Sequence, residues 1–197
     1  MVKNYELYFI LDAELSADKR KAEVARIEDI IKTDLGGESI KVTDEGAKKL
    51  AYPIKKAKLG HYVLVHFNLP YEKSAGISGF EKKFNTSDLV IRYMLIDNTV
   101  HNAKLSKQSL NKKTTVLNHQ DLNKGKLTLK KDVVKHLGIS SIDYKDAEFI
   151  KQFASPYHKI FNRKRTGNTA KTQRAVNQAI KRARHMALMS FTPKHEA

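Results

Sequence analysis

The chain has 197 residues, no cysteine and a formal net charge of +16. Without cysteine it has no disulfide framework, no thiolate zinc site and no cysteine nucleophile. No apolar run approaches the ~20 residues that span a bilayer, and the N-terminus lacks a signal sequence, so we expect a cytoplasmic protein without a membrane partner. The charge is uneven, because residues 1–100 hold 16 Lys and Arg against 15 Asp and Glu, whereas residues 142–197 hold 12 against 4. This shift predicts a composite chain whose second part meets an anionic partner.

The first hundred residues alternate between strand and helix patterns. Residues 3–12 alternate in the manner of a strand, and Ser16 is the expected N-cap of a helix that ends at the glycine pair Gly36-Gly37. Further strands are predicted at residues 38–54, interrupted near Asp44-Glu45-Gly46, at residues 61–69 and at residues 88–97, with a weaker helix at residues 71–84. This βαββαβ order predicts an α+β fold, a ferredoxin-like sandwich with two helices on one face of a four-stranded antiparallel sheet.

The strands carry apolar residues on both faces of the predicted sheet, as in Val90 and Met94 against Ile91 and Leu95. A face that stays in contact with water is normally polar, and an apolar open face usually marks a contact surface. We therefore predict that this face docks another part of the same chain. The residues predicted for this intramolecular docking are Tyr8, Tyr93, Val176 and Ile180.

Residues 98–137 are rich in Lys, Asn, Ser, Thr and Gln, a composition typical of a linker or of a tail that orders on binding. After it, Ile139–Tyr144 predicts a short strand, and Asp146 predicts the cap of a helix that stops at Ser155-Pro156. The predicted domains are a first domain at residues 1–97, a linker at 98–137 and a small, mostly α-helical basic domain at 138–197. The last of these has too few apolar residues to bury a core without a companion surface.

Basic charge is densest in residues 159–184, which contain no acidic residue. Residues 163–167 predict a loop, and the remainder predicts a helix that Phe191-Thr192-Pro193 ends. At about 100° per residue, the cations of this helix share one face and small apolar residues lie nearly opposite. An interfacial membrane helix would need Trp, Phe or Leu on that apolar face, so the pattern favours nucleic acid. The predicted RNA-binding residues are Lys159, Arg163, Lys164, Arg165, Lys171, Arg174, Lys181, Arg182 and Arg184.

Some residues of this stretch have other expected roles. Arg184 lies off the main basic face and is also a candidate to bridge to the first domain. Asn162, Asn168 and Thr169 are typical of turns and helix caps.

Ordered sets of residues in each half match known families. The set Tyr5-Glu6, Gly36-Gly37, Leu50-Ala51-Tyr52-Pro53-Ile54, Gly60-His61-Tyr62-Val63-Leu64, Val90-Ile91-Arg92 and Met94 spans the first half. With it, residues 1–97 resemble the S-six family of bacterial small-subunit ribosomal proteins. The second set is Ile142-Asp143-Tyr144-Lys145-Asp146, Lys159-Ile160, Arg163, Thr166-Gly167, Ala170-Lys171, Gln173-Arg174 and Ala179-Ile180-Lys181-Arg182-Ala183-Arg184. With it, the chain from about Gly138 onward resembles the S-eighteen family.

The two resemblances imply a natural fusion of partners. In bacteria these families pair on the central domain, or platform, of the small-subunit ribosomal RNA, which implies a structural protein of the small ribosomal subunit in the cytoplasm. The implied partners are that RNA, other small-subunit ribosomal proteins and, within the chain, the opposite half. The basic arm that usually opens the S-eighteen family has no counterpart before Gly138, and the lysines of residues 101–135 are candidates to replace it.

Three other functions compete with this one for such a fold. An acylphosphatase-like enzyme shares the sandwich shape and needs a phosphate-binding loop with an Arg–Asn pair. Residues 11–14, the first loop, carry acidic residues instead. The eight histidines are scattered and show no spacing typical of metal ligands. We therefore predict no catalytic residue, no metal and no cofactor. A sheet that stacks single-stranded RNA on Tyr8, Tyr62 and Tyr93 is one alternative. A translational autoregulator that acts outside the ribosome is the other.

Overall fold

A computed structural model of the protein describes residues 2–98, 132, 134, 139 and 141–193. The chain divides into two compact units, Met1–Ala103 and Lys104–Ala197, here called the N-terminal unit and the C-terminal unit. Among the described residues, no helix is both long and apolar enough to cross a membrane. In the same part of the chain, no three His, Asp or Glu side chains are placed to hold a metal ion.

The N-terminal unit is a four-stranded antiparallel sheet with two α-helices. Its elements are β1 (Val2–Asp12), α1 (Ala17–Thr33), β2 (Glu38–Ile54), β3 (Ala57–Pro70), a 3-10 helix (Tyr71–Gly76), α2 (Ile77–Asn85) and β4 (Val90–Asp97). The strand order is β2-β3-β1-β4, and each neighbouring pair is antiparallel. This topology confirms the predicted βαββαβ order and the α+β, ferredoxin-like fold.

One face of the sheet packs against both helices. The alternate β1 residues Tyr5, Leu7, Phe9 and Leu11 belong to a core cluster with apolar residues of α1 and α2, because successive residues of a strand point to opposite faces. The rings of Phe9 and Phe84 meet edge to face, with centroids 5.8 Å apart. Each fully buried apolar side chain contributes about 1.5–3 kcal/mol, so this layer stabilises the N-terminal unit.

Local sequence sets the ends of the helices in this unit. The Ser16 side chain accepts the Lys19 N–H at 3.4 Å, which confirms the predicted N-cap of α1. Gly36 follows α1 with a left-handed φ of 60°, as expected of a glycine after a helix. The helix predicted at residues 71–84 instead begins as the 3-10 helix. Gly76 and Gly79 each destabilise an α-helix by about 1 kcal/mol, so the α-helical conformation is weakly favoured at the start of this segment.

The predicted interruption of β2 is a β-bulge. The pairing of β2 with β3 changes register between Asp44 and Gly46. Gly46 has a left-handed φ of 79°, and its N–H donates to the Asp44 carboxylate at 2.8 Å. Glycine adopts this backbone conformation without strain, so the strand can bend here and continue to pair beyond the bulge.

The C-terminal unit is helical in its described part. Its helices there are α3 (Ala147–Lys151), α4 (Arg163–Thr166) and α5 (Ala170–His185). The Asp146 carboxylate accepts the Phe149 N–H at 3.0 Å, which confirms the predicted cap of α3. Phe149 and Phe153 are buried and meet edge to face with centroids 5.6 Å apart. This pair is an apolar anchor of the unit.

The strand predicted at Ile139–Tyr144 is wrong. Residues 141–144 form a bend and the start of a turn, with no strand pairing. The Asp143 carboxylate accepts the Lys145 N–H at 3.0 Å. Such a local side-chain hydrogen bond offers the backbone an alternative to a sheet ladder, so it favours the turn over the strand.

The basic helix ends earlier than predicted, at His185 and not near Phe191. Ala187 is left-handed, with φ 52°. The Leu188 N–H donates to the Ala183 carbonyl at 2.9 Å, and the Ala187 N–H donates to the Arg184 carbonyl at 3.1 Å. These hydrogen bonds form a Schellman motif, which closes a helix. Glycine is the usual residue at the left-handed position, so an alanine there gives little sign of the helix end.

Candidate nucleic-acid interface

Helix α5 presents cations to solvent along one face. Lys171, Arg174 and Lys181 are exposed. Val176 and Ile180, on nearly the opposite face, are fully buried. The structure therefore contains the amphipathic basic helix that the sequence predicts. Its cations face solvent, and its apolar residues on the other face pack inside the unit.

A hydroxyl and a carboxylate together cap the start of α5. Thr169 Oγ1 accepts the Thr172 N–H at 3.3 Å, as predicted for a cap residue. Asp132 Oδ2 accepts the Thr169 N–H at 2.9 Å and the Thr172 hydroxyl at 2.6 Å, and Asp132 is only 8% exposed. A negative charge at a helix N-terminus is favourable, because it satisfies free N–H groups and the helix dipole. Asp132 lies in the range 98–137 predicted as a linker, most of which is outside the described residues.

We expect Asp132→Ala to destabilise the C-terminal unit by about 1–3 kcal/mol. The reason is that the Thr169 N–H and the Thr172 hydroxyl lose a buried acceptor. Amide hydrogen exchange of α5 in the full chain measures the effect. Asp132→Asn is the matched control, because its side-chain oxygen can still accept both hydrogen bonds. Wild-type exchange rates in Asp132→Ala would contradict this role.

Residues 163–166 form one helical turn, α4, where the sequence predicts a loop. The Asn162 side-chain oxygen accepts the Arg165 N–H at 2.9 Å, in agreement with the cap role expected for Asn162. Gly167 ends the turn with a left-handed φ of 69°. A cap and a following glycine are the signals that start and stop a helix, and here only four residues lie between them.

The three cations of α4 are exposed on its surface. They are Arg163, Lys164 and Arg165. The guanidinium carbon of Arg165 lies 3.9 Å from the centre of the Phe161 ring. A cation–π contact at an exposed site contributes about 0.5–1 kcal/mol. It therefore holds the Arg165 side chain in one orientation before any partner arrives.

A buried polar network joins α4 to α5. Gln173 Nε2 donates to the Phe161 carbonyl at 2.9 Å. Its Oε1 accepts the Thr166 hydroxyl at 3.2 Å and Asn168 Nδ2 at 3.1 Å, and both Thr166 and Asn168 are buried. Paired polar groups in a protein interior fix one arrangement of the chain. The network therefore sets the orientation of α4 relative to α5. Gln173 belongs to the residue set that carries the second resemblance, but the sequence alone predicted no structural role for it or for Phe161.

Arg184 contacts the C-terminal unit itself. Its guanidinium donates to the backbone carbonyl of His158 and lies 5.8 Å from the centre of the Phe191 ring. Burial lowers the pKa of Arg184. His158 is left-handed, with φ 61°, and the next residue, Lys159, is exposed. The position of Arg184 off the main basic face predicts a bridge to the first domain. These two contacts lie within the C-terminal unit, and the bridge stays a prediction.

The other predicted RNA-binding residues are exposed or half-buried in the C-terminal unit, and we call them the basic surface. They are Lys159, Arg163, Lys164, Arg165, Lys171, Arg174, Lys181 and Arg182.

Tyr8 and Tyr93 lie on opposite faces of the sheet. The register of β1 with β4 pairs Phe9 with Tyr93, and the Tyr93 ring centroid is 4.9 Å from that of Phe84 in α2. The Tyr8 ring lies on the other face, 5.5 Å from that of Tyr62, and both of these tyrosines are fully buried. Tyr8 and Tyr93 therefore do not form one surface on which bases could stack, and the docking role predicted for Tyr8, Tyr93, Val176 and Ile180 stays a prediction. Burial also leaves Tyr8 and Tyr62 without a face to offer to a base.

Two family models match the chain in succession. The model described as Ribosomal protein S6, the S-six family above, matches residues 4–97. The model described as Ribosomal protein S18, the S-eighteen family, matches residues 138–189.

Individual relatives match the same two parts. One is small ribosomal subunit protein bS6 of Caldanaerobacter subterraneus subsp. tengcongensis, 34% identical over 48% of this chain and 96% of that protein. Another is small ribosomal subunit protein bS18 of Corynebacterium glutamicum, 48% identical over 33% of this chain and 78% of that protein. A crystal structure of 30S ribosomal protein S6 from Thermotoga maritima is 26% identical and gives a TM-score of 0.49 over 54% of this chain and 97% of that chain.

Proposed function

The chain belongs to the ribosomal protein S6 family over residues 4–97 and to the ribosomal protein S18 family over residues 138–189, and from this premise we propose that it binds the central domain, or platform, of the small-subunit ribosomal RNA. Membership of both families makes it a structural protein of the small ribosomal subunit. Contact is made through the basic surface of the C-terminal unit. Both families are structural and not catalytic, so the chain is not an enzyme.

The observation that carries this proposal is the concentration of solvent-facing cations in one stretch. Residues 159–184 contain no acidic residue, and within the described part of the chain the basic surface makes no ion pair. Folded RNA presents a shaped array of phosphates, which proteins contact largely without reading bases. Arginine suits such a surface because its planar fork can bind a phosphate through two hydrogen bonds.

Two supporting contacts favour a surface that is arranged before RNA binds. Arg165 stacks on Phe161, and Gln173 joins the residues around α4 to α5. Side chains held in place lose less conformational freedom on binding. In our proposal α4 enters an RNA junction or groove, and α5 follows the backbone with Lys171, Arg174 and Lys181.

We further propose that the two units dock on each other within the chain. The support is the apolar character of both faces of the sheet strands, together with the presence of two families that act in one particle. A tether between them raises the effective concentration of one unit near the other to the order of millimolar. A protease site inserted between residues 104 and 130 tests this proposal. Halves that separate after cleavage, with no association in solution, would contradict docking.

The test of RNA binding is a salt titration with a central-domain fragment of small-subunit ribosomal RNA. If about six phosphates are neutralised, the slope of log affinity against log salt should be about −5, from ~0.7–0.9 per phosphate. A fragment from another domain of the same RNA is the control for shape recognition. Binding that ignores salt, or no binding at ordinary ionic strength, would refute the role of the basic surface.

A further inference from the structure

Tyr157 is the most exposed large hydrophobic residue in the described part of the chain, with 75% of its surface in solvent. It lies in the C-terminal unit, between α3 and α4. A single exposed aromatic side chain is common on protein surfaces and is not by itself a sign of function. The backbone that carries this ring and the charges around it are less ordinary.

The backbone around Tyr157 is a closed hairpin turn. The His158 N–H donates to the Ser155 carbonyl at 2.8 Å, and the Ser155 N–H donates to the Lys159 carbonyl at 2.8 Å. The Lys159 N–H also donates to Ser155 Oγ at 3.1 Å. Pro156 precedes Tyr157, and proline is favoured at the first central position of a type I turn. These hydrogen bonds fix the position from which the tyrosine ring projects.

His158 joins this turn to the rest of the C-terminal unit. Its φ of 61° is left-handed, as in hairpins where one such residue follows a type I turn, a position that glycine or asparagine usually occupies. Arg184 of α5 donates to the His158 carbonyl, and Ser190 Oγ lies 3.0 Å from His158 Nδ1. A strained residue persists where its surroundings hold it, and such residues cluster at functional sites. The turn that presents Tyr157 is therefore anchored to α5.

The surroundings of Tyr157 are cationic. Residues 149–195 contain no acidic residue, and Lys159 is exposed two positions after Tyr157. Phe191 is the other large hydrophobic residue that is exposed in the described part of this unit. Two aromatic side chains form a small apolar area, whereas a protein-binding patch is normally larger and contiguous. Aromatic rings set among cations are the combination that binds single-stranded nucleic acid.

We propose that Tyr157 is a base-stacking residue, on which an unpaired base of the small-subunit ribosomal RNA stacks while Lys159 binds a phosphate of the same strand. This inference rests on the proposed function and deepens it, since it adds a contact with a base to the phosphate contacts of the basic surface. Bases in RNA loops and bulges can be turned out of the helix and stacked on aromatic side chains. A ring on a fixed turn loses little conformational freedom when a base stacks on it.

Tyr157→Ala in the full chain is expected to lower affinity for the central-domain fragment by about 5- to 100-fold. The salt slope should stay at the wild-type value, because stacking neutralises no phosphate and releases no counterion. An unchanged slope distinguishes this loss from the removal of a cation. Tyr157→Phe should bind as the wild-type chain does, since the ring and not the hydroxyl provides the stacking surface.

Two further variants separate stacking from structural and apolar effects. Tyr157→Leu keeps an apolar side chain without a π face, and we expect it to lose affinity as Tyr157→Ala does. Tyr71→Ala is the matched control, because Tyr71 is 60% exposed in the near-neutral N-terminal unit. The control should bind like the wild-type chain. Because Tyr157 is exposed, the Tm of its variants should stay within about 3 °C of the wild-type value.

A fluorescence experiment reports stacking directly. The chain contains no tryptophan, so Tyr157→Trp places a single indole at the turn. Indole emission is quenched when a base stacks on the ring, and we expect quenching that saturates together with binding of the central-domain fragment. Tyr71→Trp is the control, and its emission should not be quenched by the same fragment.

The outcomes separate this inference from the proposed function. Wild-type affinity in Tyr157→Ala, or unquenched emission of Tyr157→Trp with the fragment bound, would overturn the stacking site and leave RNA binding by the basic surface standing. Wild-type affinity in Tyr157→Leu would show an apolar contact and also overturn stacking. Normal RNA affinity with lost incorporation into the small subunit would assign Tyr157 to a protein neighbour, again against the proposal. A wild-type chain that does not bind the fragment would overturn both.

Discussion

Arg174→Glu combined with Lys181→Glu is expected to lower the affinity of the chain for the central-domain fragment by about 100-fold or more at about 0.1 M salt. Each lost phosphate contact costs about tenfold under these conditions, and each new carboxylate also repels the RNA. Both residues are exposed on α5. Filter binding or fluorescence anisotropy across a salt series measures the change, and the slope should flatten by about 1.4–1.8.

The fold should survive this double substitution. Arg174 Nε donates to the Ala170 carbonyl in its own helix at 3.3 Å, and exposed substitutions of this kind change stability by about 0.5 kcal/mol or less. Lys19→Glu with Lys82→Glu changes the net charge equally and serves as the control. If the control loses as much affinity as the α5 variant, the effect is one of overall charge and the basic surface has no special role.

Ile180→Ala is expected to destabilise the C-terminal unit by about 2–5 kcal/mol. Ile180 is fully buried on the apolar face of α5, and the substitution leaves a cavity as well as removing apolar area. The N-terminal unit has its own core cluster, so its amides should keep their protection. Hydrogen exchange followed unit by unit measures the difference.

This variant keeps every cation of the basic surface and removes only what holds them in place. We therefore expect RNA affinity to fall because α5 is no longer ordered, in contrast to the charge reversal above. Ile180→Val is the matched control, with an expected cost of about 0.5–1.5 kcal/mol. Slow, wild-type exchange of α5 amides in Ile180→Ala would show that the helix does not depend on this packing.

The N-terminal unit could be predicted in detail because its signals are local and agree with each other. Alternation marks β1, Ser16 and Gly36 bound α1, and the order of elements allows few topologies. What the pattern did not give is the cross-strand register. The prediction placed Tyr8 and Tyr93 on the same face, but Tyr93 pairs with Phe9. A one-residue difference in pairing moves a side chain to the other face of the sheet.

The C-terminal unit was predicted less completely, because its details depend on contacts between distant residues. The cationic face of α5 follows from periodicity alone. The second cap from Asp132 does not, since this residue lies 37 positions before Thr169 in the chain. The prediction of a strand at Ile139–Tyr144 failed for the opposite reason, because one local hydrogen bond from the Lys145 N–H to the Asp143 carboxylate outweighed a short apolar pattern.

The partner of Arg184 has a consequence for how this unit can evolve. A backbone carbonyl is present whatever residue occupies position 158, so no substitution at His158 can delete the acceptor that Arg184 binds. Drift at position 158 is limited instead by its left-handed φ, which tolerates glycine or asparagine and disfavours β-branched residues. Selection to keep Arg184 would then persist even in a lineage whose RNA had changed, and an unvarying arginine in such a protein would record its architecture and not its ligand.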